Sequence, residues 1–405
     1  MKHIDANTPP PRGSAISHIR IRGFAVVWIA LLLTLVMAPA IRADSPSTGQ
    51  ELDDQEPPNQ ILLTTARVVL HEREVELLGQ SQLVQELEMT VLWGPRRGEA
   101  LTVEHTVLSS AGQVPLAPGD WLYVSETSRL DGDVSRYIVG YARWPRLMLM
   151  GLIFAALVVL IGRRRGARAL AGMGISFMIL LVFVLPRMAQ GHPPVTTALV
   201  GAILTLPFSY LMAHGINRKT AIALVGSAIG LAITAALAVV GTDVALLSGY
   251  ASDEASFLQI MHTGAIDVKG LFLAGMIVGI LGVLDDVTVT QAGIVEQIQE
   301  LNPALSWREL YSRAMRLGQD HIASMVNTLV LVYAGSALPL LLLLSDRSLS
   351  PLYVVSHEVV AEEVARMLVT SAGLVATVPI TTLIAVLALR GWSLLRRREG
   401  TVTTP

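Results

Sequence analysis

The run GLFLAGMIVGILGVLDDVTVTQ, residues 270–291, decides the architecture. Residues 270–284 are apolar or glycine, and Asp285 and Asp286 follow without a break, ahead of Thr288, Thr290 and Gln291. An apolar run of this length with its flanks is what a helix needs to cross a bilayer. Two adjacent carboxylates at the end of such a run are costly to hold near hydrocarbon, so a cation, a basic partner or a shared proton is expected to compensate them. The oxygen donors of Thr288, Thr290 and Gln291 lie within two turns, which suits a hard cation or a polar solute. The ordinary alternative is a helix that stops at Leu284 and leaves the aspartates in water, although an aspartate at a helix C-terminus opposes the dipole.

Outward from this run, further apolar stretches occupy about 147–161, 169–186, 196–213, 220–241, 322–344 and 372–390. With 269–289 they predict a bundle of about seven transmembrane helices over residues 146–392, in addition to an N-terminal signal or anchor helix. The composition agrees: 52% of residues are hydrophobic, 15% are charged, and the mean hydropathy is +0.55. The formal charge of −2, with no concentrated basic face, argues against nucleic acid as a partner. There is no cysteine, which excludes disulfides, thiolate metal sites and cysteine nucleophiles. The glycines at 226, 230, 270, 275, 279 and 282 read first as close helix packing.

Before the bundle the pattern changes to period two. Leu87, Met89 and Val91 alternate with Glu86, Glu88 and Thr90, and Leu101, Val103 and Val107 sit among Thr102, Glu104 and Thr106. With turn signals at Gly94-Pro95 and Pro118-Gly119-Asp120, about five strands are expected in a β-rich domain over residues 61–142, as a small closed barrel or sandwich. Residues 44–60, with Pro46, Pro57 and Pro58, have linker composition. Residues 1–43, with Arg12, Arg20 and Arg22 ahead of the apolar run Phe24 to Ile41, read as a signal peptide or an uncleaved anchor helix. Either exports the β domain. The loops with Arg163, Arg164, Arg165 and Arg168, with Arg218 and Lys219, with Arg308, Arg313 and Arg316, and the tail 393–405 with Arg396 to Arg398 then all fall on the cytoplasmic side. The positive-inside bias predicts that asymmetry.

Two further polar groups stand out. Asp320-His321, with Asn327 beyond, opens the 322–344 stretch; the aspartate caps that helix or joins a site, and Asn327 is an interhelical hydrogen-bond group or a ligand. Between the two aspartate clusters, residues 292–318 read as an amphipathic hairpin turning at Asn302-Pro303, with Trp307 as an interfacial anchor. Asp285, Asp286, Asp320 and His321 are therefore expected at one cytoplasmic mouth, as a cation or proton site. On the other side His357, Glu358 and Glu362 precede the last span. Glu362 and Arg366 are spaced to pair, and the group reads as a solvated helix or an outer gate. Pro379 is expected to kink the last span.

The segments Gly279-Ile280-Leu281-Gly282-Val283-Leu284-Asp285-Asp286-Val287-Thr288-Val289-Thr290-Gln291 and Gly318-Gln319-Asp320-His321-Ile322-Ala323-Ser324-Met325-Val326-Asn327-Thr328-Leu329 resemble the YibE/F-like family of bacterial membrane proteins, with similarity running from about Leu62 to Leu389. The resemblance implies a multi-pass protein of the bacterial cytoplasmic membrane. It supplies no activity and no catalytic residues.

No phosphate-binding loop, dinucleotide glycine pattern or serine nucleophile elbow is present, so no enzyme and no cofactor are expected. Adjacent aspartates on a helix point about 100° apart, unlike a facing catalytic dyad. The leading expectation is a secondary transporter, permease or channel component for an ion or small polar solute. The runner-up is a membrane-anchored sensor or assembly protein whose β domain binds an envelope partner. The partners expected are the lipid bilayer, an ion or small polar solute, and a second copy of the chain or an envelope protein.

Overall fold

The computed structural model describes residues 60–77, 80–94, 96–107, 115–128, 134–261, 266–344 and 350–400. The signal or anchor at 1–43, the linker up to residue 59 and the last residues of the tail, 401–405, lie outside the described residues. The described chain divides into two compact units, residues 60–157 and 158–400.

The first unit carries the five strands that the alternation predicts: β1 Gln60–Leu77, β2 Gln80–Val91, β3 Ala100–Val107, β4 Trp121–Ser128 and β5 Val134–Tyr141. All pairings are antiparallel, in the order β3-β2-β1-β4-β5, and β3 approaches β5, so the sheet nearly closes on itself. Closure removes the exposed edges that a small sheet would otherwise present. Leu87 pairs with Val103 and Met89 with Leu101, and all four point into the core with Leu122 and Val124. Bulges at Ala66/Val68 and Val69/His71 bend β1, which pairs with both β2 and β4. Gln85 is the polar exception inside. Its amide donates to Glu72 at 2.7 Å and to the Leu116 carbonyl at 3.3 Å, and its oxygen accepts from Leu116 N at 2.8 Å. It thereby satisfies a loop backbone that has no strand partner. The first helical turn is tied to the sheet by Trp121 against Trp144, 5.9 Å between ring centres, and by Arg146 with Asp120 at 3.5 Å.

The second unit is helical. The chain enters it through α1, Trp144–Ile179, which starts within the first unit; a π-helical turn Leu180–Val184 follows, and α2 is Leu185–Ala189. The π turn precedes Pro186, whose ring clashes with the carbonyl four residues back in a regular helix; widening the turn relieves that clash. After these come α3 Pro194–His214, α4 Arg218–Val244, α5 Asp253–Met261 and α6 Val268–Leu301. The chain continues through α7 Trp307–Ser336, α8 Leu338–Leu343, α9 Pro351–Ser356 and α10 Glu358–Gly400. Among the described residues five helical stretches are long and apolar enough to cross a membrane: Trp144–Ala189, Pro194–His214, Arg218–Val244, Val268–Leu301 and Glu358–Leu389.

The sequence predicts seven such stretches. The predicted spans 147–161 and 169–186 fall within one stretch, broken at Arg163, which has a left-handed φ of 48°. Gly166 comes to rest against the Val158 carbonyl, a contact that a straight helix cannot make, so the helix is kinked at this arginine. The predicted 322–344 span is shared by α7, α8 and the break between them, where Leu338-Pro339 opens a new helix.

The core of the bundle lies along α6, which packs against α3, α4, α7 and α10. Asp267 caps its start by accepting from Gly270 N at 2.9 Å. Gly226 and Gly230 of α4 face Thr381 and Thr377 of α10, where a larger side chain would collide with the threonines. The close approach expected of these two glycines is therefore met. Gly282, by contrast, has no neighbouring atom where a side chain would stand. Pro379 lies inside an unbroken α10.

Candidate functional site

α6 does not end at Leu284. It runs on to Leu301, so Asp285 and Asp286 lie within a helix, about 25 Å along it from Val268 at 1.5 Å per residue. The helix continues because the residues beyond the aspartates are bound across the bundle. Thr288 is fully buried; its hydroxyl donates to the Leu284 carbonyl at 2.8 Å and meets Tyr210 of α3 at 2.8 Å and Ser227 of α4 at 2.9 Å. Tyr210 and Ser227 are also hydrogen-bonded to each other. Gln291 donates to the Ala314 carbonyl of α7 at 3.1 Å and to Thr382 of α10 at 2.7 Å. These bonds satisfy polar groups that hydrocarbon would leave unpaired, and they join five helices around one axis.

Asp285 stands beside this hydroxyl cluster. Its Oδ1 is buried and accepts no hydrogen bond, and His214 Nε2 at the end of α3 is 3.7 Å away. The carboxylate also interacts electrostatically with Tyr210 and with Asp286. The ring of Tyr210 meets that of His214 edge-on, 6.2 Å between centres, which fixes the imidazole toward the carboxylate. Asp286, one step round the helix, is exposed. Thr290 is half-buried. An unbonded carboxylate oxygen beside an imidazole can take up a proton or a cation, and the hydroxyl cluster holds the helices that frame it.

The other expected residues are placed differently. Asp320 and Asn327 are exposed, and His321 is half-buried with Nε2 unpartnered. Asp320 does not cap a helix: α7 begins at Trp307, where Ser306 and Glu309 form a reciprocal capping box, and Asp320 lies in its middle. The hairpin itself is as expected, turning at Asn302 with the next helix opening at Trp307. Among the described residues no three His, Asp or Glu side chains converge as a metal site.

On the remaining side, Glu358 accepts from Ser248 N at 2.7 Å and from its hydroxyl at 2.5 Å. Glu362 is buried and accepts from Ala251 N at 3.4 Å. His357 is exposed with its ring against Tyr353. The ion pair expected between Glu362 and Arg366 is made instead by Glu363, 3.6 Å from Arg366, because position 363 lies three residues back on the face that Arg366 presents.

Sequence reasoning missed His214, Tyr210 and Ser227. Tyr210 and His214, four apart at the end of an otherwise apolar span, form the kind of spacing that puts two polar groups on one helix face. Nothing in the sequence distinguishes Ser227 from a packing residue.

A bundle of membrane-length apolar helices around a polar, carboxylate-bearing central helix defines an integral membrane protein. Residues 150–391 match the family described as YibE/F-like protein, and the chain belongs to that family. The match covers the helical bundle and leaves the β sheet outside it. No curated protein and no solved structure matches the chain.

Proposed function

We propose that this protein is a secondary transporter, permease or channel component for an ion or small polar solute, and not an enzyme. The observation that carries the reading is Asp285, a carboxylate with a buried, unbonded oxygen on the central helix of the bundle, facing His214. Ionisable groups inside membrane bundles are costly, and they are retained where they pair with each other along an ion or solute path. In this reading Asp285 exchanges a proton or cation, His214 shares its charge, and Thr288 with Tyr210 and Ser227 keeps α3, α4 and α6 in register. Asp286, Thr290, Asp320, His321 and Asn327 contribute as the polar approach on the cytoplasmic side. That side is assigned from the arginines at 163–168, 218 and 308–316, which puts the β domain outside the bacterial cytoplasmic membrane.

Reconstitution into vesicles with an entrapped pH-sensitive dye and an imposed ion gradient tests the reading. The wild-type protein produces a gradient-dependent flux, and Asp285→Asn removes it while the protein stays folded. Flux unchanged in that variant overturns the site.

A second reading, an anchored sensor or assembly protein, is favoured by one observation. On β5 Tyr137 is 50% and Val139 57% exposed, an apolar strand surface fit for a protein partner. Deletion of residues 61–141 separates the readings, since a transporter core keeps its flux and a sensor loses its partner.

A further inference from the structure

Where α6 and α10 begin, a cavity of about 200 Å³ opens between them and the segment that precedes and starts α5. A single water needs only about 10–15 Å³ of such space, so the cavity has room for a small organic molecule. Its walls include Leu271, Phe272 and Gly275 of α6, and its charged groups are Glu362, Glu363 and Arg366 of α10.

Several of the charged groups around this end have close partners. Asp243 and Lys269 pair at 2.8 Å, Glu358 is bound by Ser248, and Glu363 takes Arg366. Glu362 is left 6% exposed with the long bond from Ala251 N. Arg366 acts on Glu362 only through space, its closer contact being Glu363, and a buried carboxylate with no cation in direct contact is expensive, so the residual negative charge calls for a positive ligand. One turn further along α10, the Arg366 guanidinium lies 5.2 Å over the Phe272 ring, and its Nε is buried with no acceptor among the described residues. That donor calls for an oxygen. Two unmet demands of opposite kind in one cavity describe a ligand that carries both a cation and an acceptor.

We propose that this cavity binds a small primary ammonium compound carrying an oxygen acceptor, with Glu362 holding the ammonium and Arg366 Nε donating to the oxygen. Two carboxylates and one guanidinium sum to one negative charge when ionised, so a monocation such as an amino alcohol closes the balance better than a zwitterion. The role of this compound as the transported solute rests on the transport reading above; its binding does not.

Isothermal titration of the purified full-length protein in detergent, at constant ionic strength, uses ethanolamine hydrochloride as probe, with methylammonium, glycine and sodium as comparisons. Ethanolamine binds saturably, about tenfold tighter than methylammonium, which lacks the oxygen. Glu362→Gln weakens ethanolamine by about tenfold or more. Arg366→Lys brings ethanolamine and methylammonium together. Gly275→Leu projects into the cavity and loses the ligand; its Cβ meets only Arg366 Nη1 at 3.6 Å, an ordinary contact, and a matched thermal melt checks that the variant folds. Asp285→Asn keeps saturable binding, changed by a few-fold at most, so a failed transport assay leaves this proposal standing and a failed titration leaves the transport reading standing. Repeating the titration in phosphatidylcholine and phosphatidylethanolamine nanodiscs separates a free solute from a lipid headgroup, because headgroup occupancy suppresses the response only in the second. No saturable ethanolamine binding, equal binding by sodium, or unchanged binding in Glu362→Gln and Gly275→Leu overturns the proposal.

Discussion

His214 Nε2 lies 3.7 Å from Asp285 Oδ1, across the interface between α3 and α6. The contact is too long for a hydrogen bond and short enough for an ion pair, so its strength depends on the protonation of both groups. Asp285→Asn is expected to lower gradient-driven flux at least tenfold, about 1.4 kcal/mol of transition-state free energy, and His214→Gln by less. Asp286→Asn, at an exposed position, leaves flux within about twofold of wild type. Dye-loaded proteoliposomes measure all three.

The hydroxyls of Tyr210, Ser227 and Thr288 form a closed triangle. Thr288→Val keeps the shape and removes one corner, and is expected to cost about 1–3 kcal/mol, because two buried hydroxyls lose a partner. Thermal unfolding in detergent reads the loss. Tyr210→Phe is expected to cost a similar amount, since it too takes a partner from two buried hydroxyls and leaves them bonded to each other.

Gly226→Leu drives a side chain into Thr381 of α10. Overpacking at a close helix crossing costs about 1–3 kcal/mol. The variant is expected to show earlier thermal unfolding, whereas Gly282→Leu, with nothing nearby, unfolds as the wild type does.

In the β domain, Gln85→Leu leaves the N–H and carbonyl of Leu116 without their partner. Hydrogen exchange at β1 and β2 is expected to quicken by a factor equivalent to about 2–4 kcal/mol of lost local stability.

Burial holds the His105 imidazole below its ordinary range, and the Arg96 guanidinium holds the Glu99 carboxyl below its own. Both are depressed folded-state values, so both contributions are complete above the unfolded value and are lost as pH falls toward the folded one. The β domain is therefore expected to lose stability first below the ordinary histidine value of about 6.5, and again below the ordinary Glu value of about 4.3. His105→Gln flattens the first step in a pH series of hydrogen-exchange or melting measurements and leaves the second.

The strand alternation and the hairpin at Asn302 were legible because each rests on local chemistry. Leu87, Met89, Leu101 and Val103 need only period two to find the core, and Asn302-Pro303 cannot continue a helix. The extent of α6 was not legible. An aspartate pair reads as an exit from the membrane, and only contacts from α3, α4, α7 and α10 to Thr288 and Gln291 carry the helix through it. The displaced start of α7 has a similar cause, since the capping box at Ser306 and Glu309 outweighs the hydropathy step near Asp320. The pairing of Asp285 with His214 depends on which helices become neighbours, and no residue spacing encodes that.

The unbroken course of α6 has a mechanical consequence. Gly275, at the cavity, and Asp285, beside His214, are ten residues apart on one rod, about 15 Å at the helical rise. A stiff rod packed on four sides passes a displacement from one end to the other with little loss. A shift of α6 at the cavity is then expected to strain or relieve the contact at Asp285, and by thermodynamic reciprocity any such coupling changes cavity affinity on protonation of Asp285 by the same factor. The start of the helix and its midpoint would then act as the arms of one balance.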